Sequence, residues 1–389
     1  MKIVHFKTML HPKYGGPSFS VPVQCRGVAL EGVDVTLATF PESRPFEDKL
    51  IKDGVKISEI EHPHNPLLLK TGLSLSHWLK KNHDADIVHY HGVWASGCHW
   101  ISKSARKYGI KTVLNPRGDL EIARINYNPW KKAKKKLAWL LYGKKDTQSA
   151  ACIIATSEQE YDAVRSLGIT APIAIVPNGI EIDSFPKTIS HTCHDDKVLL
   201  FLSRINPIKG IEYLIEAWKA IPSKEKEGWQ IHIVGNSDPK EYINELEKRV
   251  SELGLFDSIK FLGAITGENK IKKYQESDVF VLPTLNENFG NVIAEAMMCE
   301  LPVITTTNAP WKVINDYECG WWINLSVESL TKALHEAITM TDEERWELGK
   351  KGRRCIEDNY ASPAVAKKTV EIYKWVLGMA EKPDFVFLK

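Results

Sequence analysis

The stretch of sequence that decides the fold spans residues 286–297 and reads NENFGNVIAEAM. A short apolar run, residues 279–284, precedes it and has the character of a buried strand that Pro283 helps to end. From Phe289 onward, apolar residues recur at the i, i+3, i+4, i+7 spacing of a helix with one buried face. The segment therefore predicts a strand, a tight turn and a helix in immediate succession.

Two carboxylates, Glu287 and Glu295, lie eight positions apart across this turn. Gly290 permits close approach to the first helical turn, where unpaired N–H groups suit a phosphate. Carboxylates repel phosphate, so we expect them to hold hydroxyl groups instead. A ligand that carries both hydroxyls and phosphates is a nucleotide sugar. A surface helix of any α/β protein can also carry two glutamates at this spacing. That alternative to a nucleotide-sugar site stays open at this point.

Alternation of strands and helices continues along the whole chain, which predicts parallel sheets covered by helices on both faces. The predicted strands are 2–6, 34–38, 86–90, 111–115, 151–156 and 173–177, then 197–203, 230–234, 259–262, 278–282, 302–305 and 321–323. Residues 184–197 are polar and lack periodicity, so they are the best linker. We predict an N-terminal domain over 1–185, a C-terminal domain over 186–363, and a final helix with its tail over 364–389.

Composition is that of a folded globular protein, with 43% hydrophobic and 26% charged residues among 389. Seven scattered cysteines without a Cys-x-x-Cys pair favour free thiols in a reducing cytosol. His191, Cys193 and His194 resemble metal ligands but lie in the polar linker without a partner cluster. No apolar run approaches the roughly 18 residues that span a bilayer, and the N-terminus lacks a signal-peptide core. We therefore expect a cytoplasmic location.

Positive charge is concentrated in the first half of the chain. Residues 1–185 carry 25 lysines and arginines against 18 acidic residues, whereas the remainder carries 26 against 31. The excess lies in residues 129–145, where seven lysines accompany an apolar helical face. Such a helix can lie on the inner, anionic face of the cell membrane. A helix docked on its own domain with a solvated lysine face is an equal alternative. We expect no nucleic-acid partner, because no reader motif accompanies the patch.

Further candidate residues follow predicted strands. Gly15 and Gly16 form a loop that could border a diphosphate, and a plain turn is an equal alternative from these residues alone. No Gly-x-Gly-x-x-Gly fingerprint of a nicotinamide site is present. Arg204 and Lys209 precede a helix and make an anion site. His89 and His91 share a strand face, but tetrahedral metal sites need three or four ligands and no further suitable cluster is apparent.

These motifs, in this order over residues 3 to about 310, resemble the retaining glycosyltransferases of family four, with their Glu-x7-Glu motif in residues 287–295. The resemblance implies two Rossmann-like α/β domains facing a central cleft (the GT-B architecture), with the last helix crossing back to the N-terminal domain. It implies an active-site role for His91, with His89 structural. Asn115-Pro-Arg117-Gly occupies a loop where the family varies, and we expect Arg117 to hold the acceptor or a phosphate there.

The resemblance also implies how the donor is held. Glu287 would contact the sugar and Glu295 the ribose, while Arg204 and Lys209 would stabilise the departing diphosphate in place of a metal. The pocket would be completed by Gly15, Gly16, Asn288, Phe289, Gly290 and Asn291.

The function implied is metal-independent, cofactor-free hexosyl transfer from a nucleotide-diphosphate sugar to a glycan or lipid-linked acceptor, in bacterial surface polysaccharide biosynthesis. A nucleotide-sugar 2-epimerase of the same fold and a non-catalytic scaffold subunit that binds a nucleotide sugar remain as alternatives.

Overall fold

The computed structural model describes residues 1–61, 68–121, 129–189 and 196–389. These residues form two compact units, one of Met1–Gly179 with Ser362–Lys389 and one of Ile180–Ala361. Much of the predicted linker, with His191, Cys193 and His194, lies outside the described residues. Within the part of the chain described, no helix is long and apolar enough to cross a membrane.

The described residues of the first unit form seven strands and seven α-helices before residue 180. The strands are β1 (Lys2–Phe6), β2 (Asp34–Thr39), β3 (Lys56–Glu59), β4 (Ile87–His91), β5 (Lys111–Asn115), β6 (Cys152–Ala155) and β7 (Ile173–Ile175). The helices are α1 (Gly16–Leu30), α2 (Glu47–Lys52), α3 (Leu68–Lys81), α4 (Ser96–Lys107), α5 (Pro129–Ala138), α6 (Lys144–Gln148) and α7 (Glu158–Ser166). A π-helical turn, Trp139–Gly143, joins α5 to α6.

The second unit repeats this alternation. Its strands are β8 (Lys197–Leu202), β9 (Trp229–Val234), β10 (Ile259–Phe261), β11 (Val279–Leu282), β12 (Val303–Thr306) and β13 (Gly320–Ile323). Its helices are α8 (Ile211–Ala220), α9 (Tyr242–Glu252), α10 (Glu268–Gln275), α11 (Asn291–Met298), α12 (Val313–Tyr317), α13 (Val327–Thr339) and α14 (Asp342–Asn359). The chain then returns to the first unit with α15 (Ser362–Val376) and β14 (Val386–Phe387).

Both sheets have the strand order of a doubly wound fold. The first runs β14-β7-β6-β5-β4-β1-β2-β3 and the second β10-β9-β8-β11-β12-β13. All pairs are parallel except β14 with β7. The central strands are continuous apolar runs because helices cover both faces, as Val279–Leu282 illustrates with four fully buried residues. These parallel α/β sheets confirm the predicted fold class.

Eleven of the twelve predicted strands match the structure within one residue at each end, and the twelfth, predicted over 173–177, shortens to β7. Two strands are missing from the prediction. β3 carries Lys56 and Glu59 at its ends and lies at the sheet edge, so it lacks an apolar pattern. β14 has only two residues and pairs with β7 at the opposite edge.

Candidate functional site

The order of the second sheet places its switch point between β8 and β11, which are neighbours although two strands separate them in sequence. Helices that follow these strands leave in opposite directions, and ligands of open α/β sheets bind in the resulting crevice. Arg204 and Lys209 follow β8, and Glu287 follows β11. The topology therefore brings together residues that are about 80 positions apart.

Short contacts hold the two strand-end loops against each other. Gly210 has φ of +69°, and a Cβ atom there would lie 2.0 Å from the Pro283 carbonyl oxygen, so only glycine fits. The Leu285 N–H donates to the Ile208 carbonyl at 2.8 Å, and the Thr284 hydroxyl donates to the same oxygen at 3.1 Å. The loops form one rigid surface, which presets the side chains that they carry.

Lys209 and Glu287 form an ion pair through the ammonium and the Glu287 Oε2 atom. The two side chains are only 7% and 12% exposed, so the pair is largely removed from water. Arg204 by contrast is exposed, and no described residue forms a hydrogen bond or ion pair with it. The switch point thus combines a shielded cation and carboxylate with an exposed guanidinium.

The helix after this turn begins later than predicted. Gly290, at φ of +82°, is the N-cap and Asn291 is the first residue of α11, whereas the apolar spacing predicted a start at Phe289. The left-handed backbone of Gly290 is not that of a right-handed helix, so Phe289 lies outside α11. Its side chain belongs to an aromatic cluster, with ring centroids 5.2 Å from Trp311 and 5.8 Å from Tyr360. The Trp311 indole N–H also donates to the Phe289 carbonyl.

Burial limits what these residues offer to a ligand. Phe289 is 4% exposed and Asn288 8% exposed, so neither side chain presents a broad surface. The backbone N–H groups of the first turn of α11 remain the natural anion-binding groups at this position.

Glu295 lies one turn further along α11 and accepts two hydrogen bonds on the same oxygen. The Tyr274 hydroxyl donates to Oε2 at 2.9 Å, and the Lys270 ammonium pairs with that atom. Burial first, and the Glu295 charge second, raise the pKa of Tyr274 well above its usual value, so the hydroxyl keeps its proton. Sequence reasoning missed both partners, since nothing in α10 marks them.

In the first unit, Gly15 has φ of +82° and separates a 3-10 turn, Pro12–Tyr14, from α1, of which Gly16 is the first residue. This is the conformation that a non-glycine residue would resist. Gly15 therefore has a structural reason to be present, whatever it binds.

Arg117 is buried and its guanidinium is held inside the first unit. It donates to Ser20 Oγ at 2.9 Å, Gln24 Oε1 at 2.6 Å and Asn178 Oδ1 at 2.6 Å. It is only 6% exposed. The proposed acceptor role of Arg117 stays a prediction, and the structure shows a role in packing α1 against the strand-end loops.

His91 is completely buried, at the switch point between β1 and β4. Its Nε2 lies 3.1 Å from His5 Nδ1, and its Nδ1 faces the Arg117 guanidinium at 3.5 Å. Both ring nitrogens are thus engaged within the unit. The active-site role that the resemblance implies for His91 stays a prediction, because in this structure the ring is not exposed to solvent.

A chain of hydrogen bonds extends from His91 through the rest of this core. The Asn115 amide nitrogen donates to the Ile154 carbonyl at 2.7 Å, so Asn115 Oδ1 accepts from His89 Nε2 at 2.8 Å. The other His89 nitrogen then accepts from the Tyr373 hydroxyl at 2.6 Å.

The remaining protons follow from this assignment. The Tyr373 oxygen accepts from His5 Nε2 at 3.1 Å, and the unprotonated His5 Nδ1 accepts from His91 Nε2. His91 Nδ1 is then the acceptor that faces Arg117. Each of the three imidazoles is therefore neutral, with one ring nitrogen donating a hydrogen bond and the other accepting one. The hydrogen bonds all run in the same direction, from Arg117 through the rings to Asn115.

The pKa values of the three histidines agree with neutral rings. Burial, followed by the Arg117 charge, lowers the pKa of His5 to about 3. The pKa values of His89 and His91 are also lowered well below the ordinary value, again chiefly by burial. Loss of hydration disfavours the charged form of an imidazole.

This network corrects the expectation that no third ligand lies near His89 and His91. His5, His89 and His91 place candidate ligand atoms within 4.8 Å of one another. The signal was available in sequence, because a 3-2-1-4 strand order places β1 beside β4, with His5 opposite His89. Since all six ring nitrogens are engaged, a metal ion would have to displace the existing hydrogen bonds.

Comparison with known families agrees with this geometry. The model of glycosyl transferases group 1 matches residues 187–355, and that of glycosyltransferase family 4 matches residues 14–184. Together the two models span most of the chain, each over one of its halves. The two family models and the fold define a glycosyltransferase of the GT-B class. The chain belongs to the group 1, family 4 glycosyltransferases.

Individual relatives are distant. An uncharacterized glycosyltransferase of Methanocaldococcus jannaschii, MJ1607, is 23% identical over 92% of this chain and 94% of its own length. Sucrose-phosphate synthase from Thermosynechococcus elongatus has the same fold, with a TM-score of 0.77, 20% identity, and coverage of 97% and 100%. Anabaena HepE, solved with UDP and glucose, gives a TM-score of 0.74 at 16% identity, with coverage of 96% and 100%.

Proposed function

We propose that this glycosyltransferase moves a hexosyl-type sugar, with retention of anomeric configuration, from a nucleotide-diphosphate sugar to a glycan or lipid-linked acceptor. The acceptor would belong to bacterial surface polysaccharide biosynthesis. One observation carries the donor assignment: the switch point of the second sheet collects Arg204, Lys209, Glu287 and the start of α11 at one place. The UDP found in HepE, a protein of the same fold, supports a nucleotide donor.

Charge explains how this site would act. In the transfer step, negative charge develops on the departing diphosphate. The Lys209 ammonium, the exposed Arg204 and the N–H groups of α11 are preorganised positive groups beside that position, which is the most effective form of transition-state stabilisation. They would replace the divalent metal that neutralises diphosphate in other enzymes, so we propose metal-independent transfer.

The carboxylates have separate roles in this proposal. Glu287 lies beside Lys209 and would accept hydrogen bonds from hydroxyls of the donor sugar, whereas Glu295, one turn into α11, would accept from the ribose. Both carboxylates are already held by protein donors, so their orientation costs little on binding. His91 would act on the acceptor side only if the buried network around it opens.

A donor screen tests the proposal. The purified chain is incubated with UDP-, GDP- and ADP-sugars, with and without a lipid-linked saccharide acceptor, and products are followed by chromatography and NMR. We expect acceptor-dependent release of the nucleoside diphosphate and an α-linkage from an α-configured donor. Conversion of a donor to its 2-epimer without acceptor indicates the epimerase instead. Binding without turnover indicates the scaffold subunit.

We further propose that the segment 129–145 docks on anionic membrane. The predicted apolar face of α5 and the π-helical turn is exposed, with Trp130 at 87%, Leu140 at 70% and Leu141 at 71%. Another side of the segment packs on the first unit, since the ring centroids of Trp139 and Trp94 are 6.2 Å apart. Exposed lysines surround the apolar residues, which matches the charge of an anionic lipid surface.

Vesicle sedimentation tests this surface. We expect the protein to bind phosphatidylglycerol-containing vesicles and not pure phosphatidylcholine. Replacing the exposed Lys132, Lys134 and Lys136 with serine removes about 1 kcal/mol per charge and should weaken binding roughly 100-fold. Replacing Lys248, Lys272 and Lys332, exposed lysines of the second unit, is the matched control. Equal loss in both triple variants would contradict a defined docking surface.

A further inference from the structure

Helix α10 contributes two residues to the surroundings of Glu295 that no sequence motif assigns. Lys270 and Tyr274 are four residues apart and therefore lie on one face of the helix. Both contact the same atom, Glu295 Oε2. Tyr274 is 1% exposed, so its hydroxyl is a fixed donor, whereas the Lys270 side chain is 26% exposed and can reach a ligand.

The arrangement leaves the second carboxylate oxygen for a ligand. Oε2 of Glu295 receives two donors, and no described residue donates to Oε1. The Glu295 side chain is 23% exposed, so Oε1 can be reached from solvent. A carboxylate oxygen accepts hydrogen bonds only, and the adjacent ammonium donates only. Together they offer one acceptor and one donor side by side.

We propose that Lys270 is a specificity-determining residue that makes the site select ribose over deoxyribose in the nucleotide. A hydroxyl group is both a donor and an acceptor, so a ribose hydroxyl can donate to Glu295 Oε1 while it accepts from the Lys270 ammonium. An analogue that lacks this hydroxyl leaves both charged groups without that partner. This inference rests on the proposed function, because it assumes that Glu295 faces the ribose of the donor.

Tyr274 has a supporting role in this proposal. Its buried hydroxyl fixes the carboxylate plane, and its second contact, with the Val292 carbonyl at 3.3 Å, ties α10 to α11. Tyr274 is thus a positioning residue that does not touch the ligand. Lys270 differs because its ammonium is partly exposed and contacts the ligand directly.

Calorimetric titration with nucleoside diphosphates tests the inference. UDP, GDP and ADP are titrated first, and the tightest binder is then compared with its 2′-deoxy and 3′-deoxy analogues. Because hydrogen bonds to charged groups are among the stronger ones, we expect wild type to prefer the ribonucleotide over at least one analogue by about tenfold or more. In Lys270→Ala that preference should fall to about threefold or less, and Lys270→Arg should restore most of it.

Lys272→Ala is the control, since Lys272 is on the same helix but 72% exposed and paired with Glu276. We expect it to keep the wild-type preference. Thermal unfolding of each variant checks that it is folded. If Lys270→Ala keeps the wild-type preference, or weakens ribonucleotide and analogues equally, the inference is wrong. If wild type binds none of the three diphosphates, the proposed function fails instead.

Discussion

The two switch points of this protein have the same topology and opposite chemistry. Each lies between the first and fourth strands of a 3-2-1-4 order, and each collects polar side chains from strand ends. In the first unit these are neutral histidines that are completely buried. In the second they are charged, and Arg204 is exposed. The same strand order can therefore support either a buried hydrogen-bond network or a binding surface. The two switch points differ in whether their charged side chains are accessible to solvent.

Stability and binding place different demands on these groups. A buried polar network must satisfy its donors and acceptors internally, and the ring nitrogens of the three histidines do so. A binding surface must leave some groups for the ligand, as Arg204 and Glu295 Oε1 do. We therefore expect substitutions in the second switch point to affect transfer, and those in the first to affect folding.

The largest expected effect is on catalysis. Glu287→Gln keeps the size of the side chain but removes the charge that faces Lys209 and that, in the proposed function, accepts from the donor sugar. We expect transfer to fall about 10³-fold, near 4 kcal/mol, which is typical for a group that acts on the transition state. Initial rates with the donor identified by the screen provide the measurement. Lys248→Ala, a 78% exposed lysine of the same unit, should be unaffected.

Acid should selectively destabilise the buried network. The folded pKa values of His5, His89 and His91 lie below the value of about 6.5 expected in the unfolded chain. The unfolded state therefore binds more protons, so this stability is complete above pH 6.5 and is lost as pH falls from there. At pH 6 the loss relative to pH 8 should be roughly 2 to 3 kcal/mol for the three rings.

A single substitution sharpens this prediction. His5→Asn removes one titrating ring, so the slope of unfolding free energy against pH between 5 and 6 should decrease by about one proton. His83→Asn, at an exposed histidine, should leave the slope unchanged. Urea unfolding at several pH values measures both. Identical slopes in wild type and His5→Asn would mean that the network is open to solvent.

The smallest expected effect is that of metal removal. The proposed site uses side-chain cations, and the ring nitrogens of the histidine cluster are already hydrogen-bonded. Dialysis against EDTA should therefore change neither transfer rate nor unfolding temperature. Loss of stability that zinc restores would identify His5, His89 and His91 as a metal site. Loss of transfer that magnesium restores would refute metal-independent catalysis.

Sequence reasoning predicted the central strands well, because buried parallel strands are continuous apolar runs with clear ends. β1 and β5 match the predicted bounds at both ends. It missed β3 and β14 because edge strands are short or carry charge. In each case the sequence lacks a continuous apolar run, which is the pattern on which the strand prediction depends.

The candidate site was predicted by residue type but not by contact. Glu287 and Lys209 could be named, whereas their ion pair depends on the loop packing at Gly210. Lys270 could not be named, since a lysine in an exposed-looking helix has no distinguishing spacing. The network that includes His91 also depends on Tyr373, 282 positions away in α15, whose hydroxyl contacts His89 and His5. No local sequence pattern reports such a contact.

Binding of the nucleoside diphosphate tests the central claim most directly. The tightest binder among UDP, GDP and ADP is titrated into wild type, Lys209→Ala and His5→Asn at pH 8, where the histidine network is neutral. The account predicts that Lys209→Ala weakens binding at least tenfold, since it removes a shielded cation beside the diphosphate, while His5→Asn binds as wild type does. Unchanged binding in Lys209→Ala, with loss in His5→Asn, would contradict it.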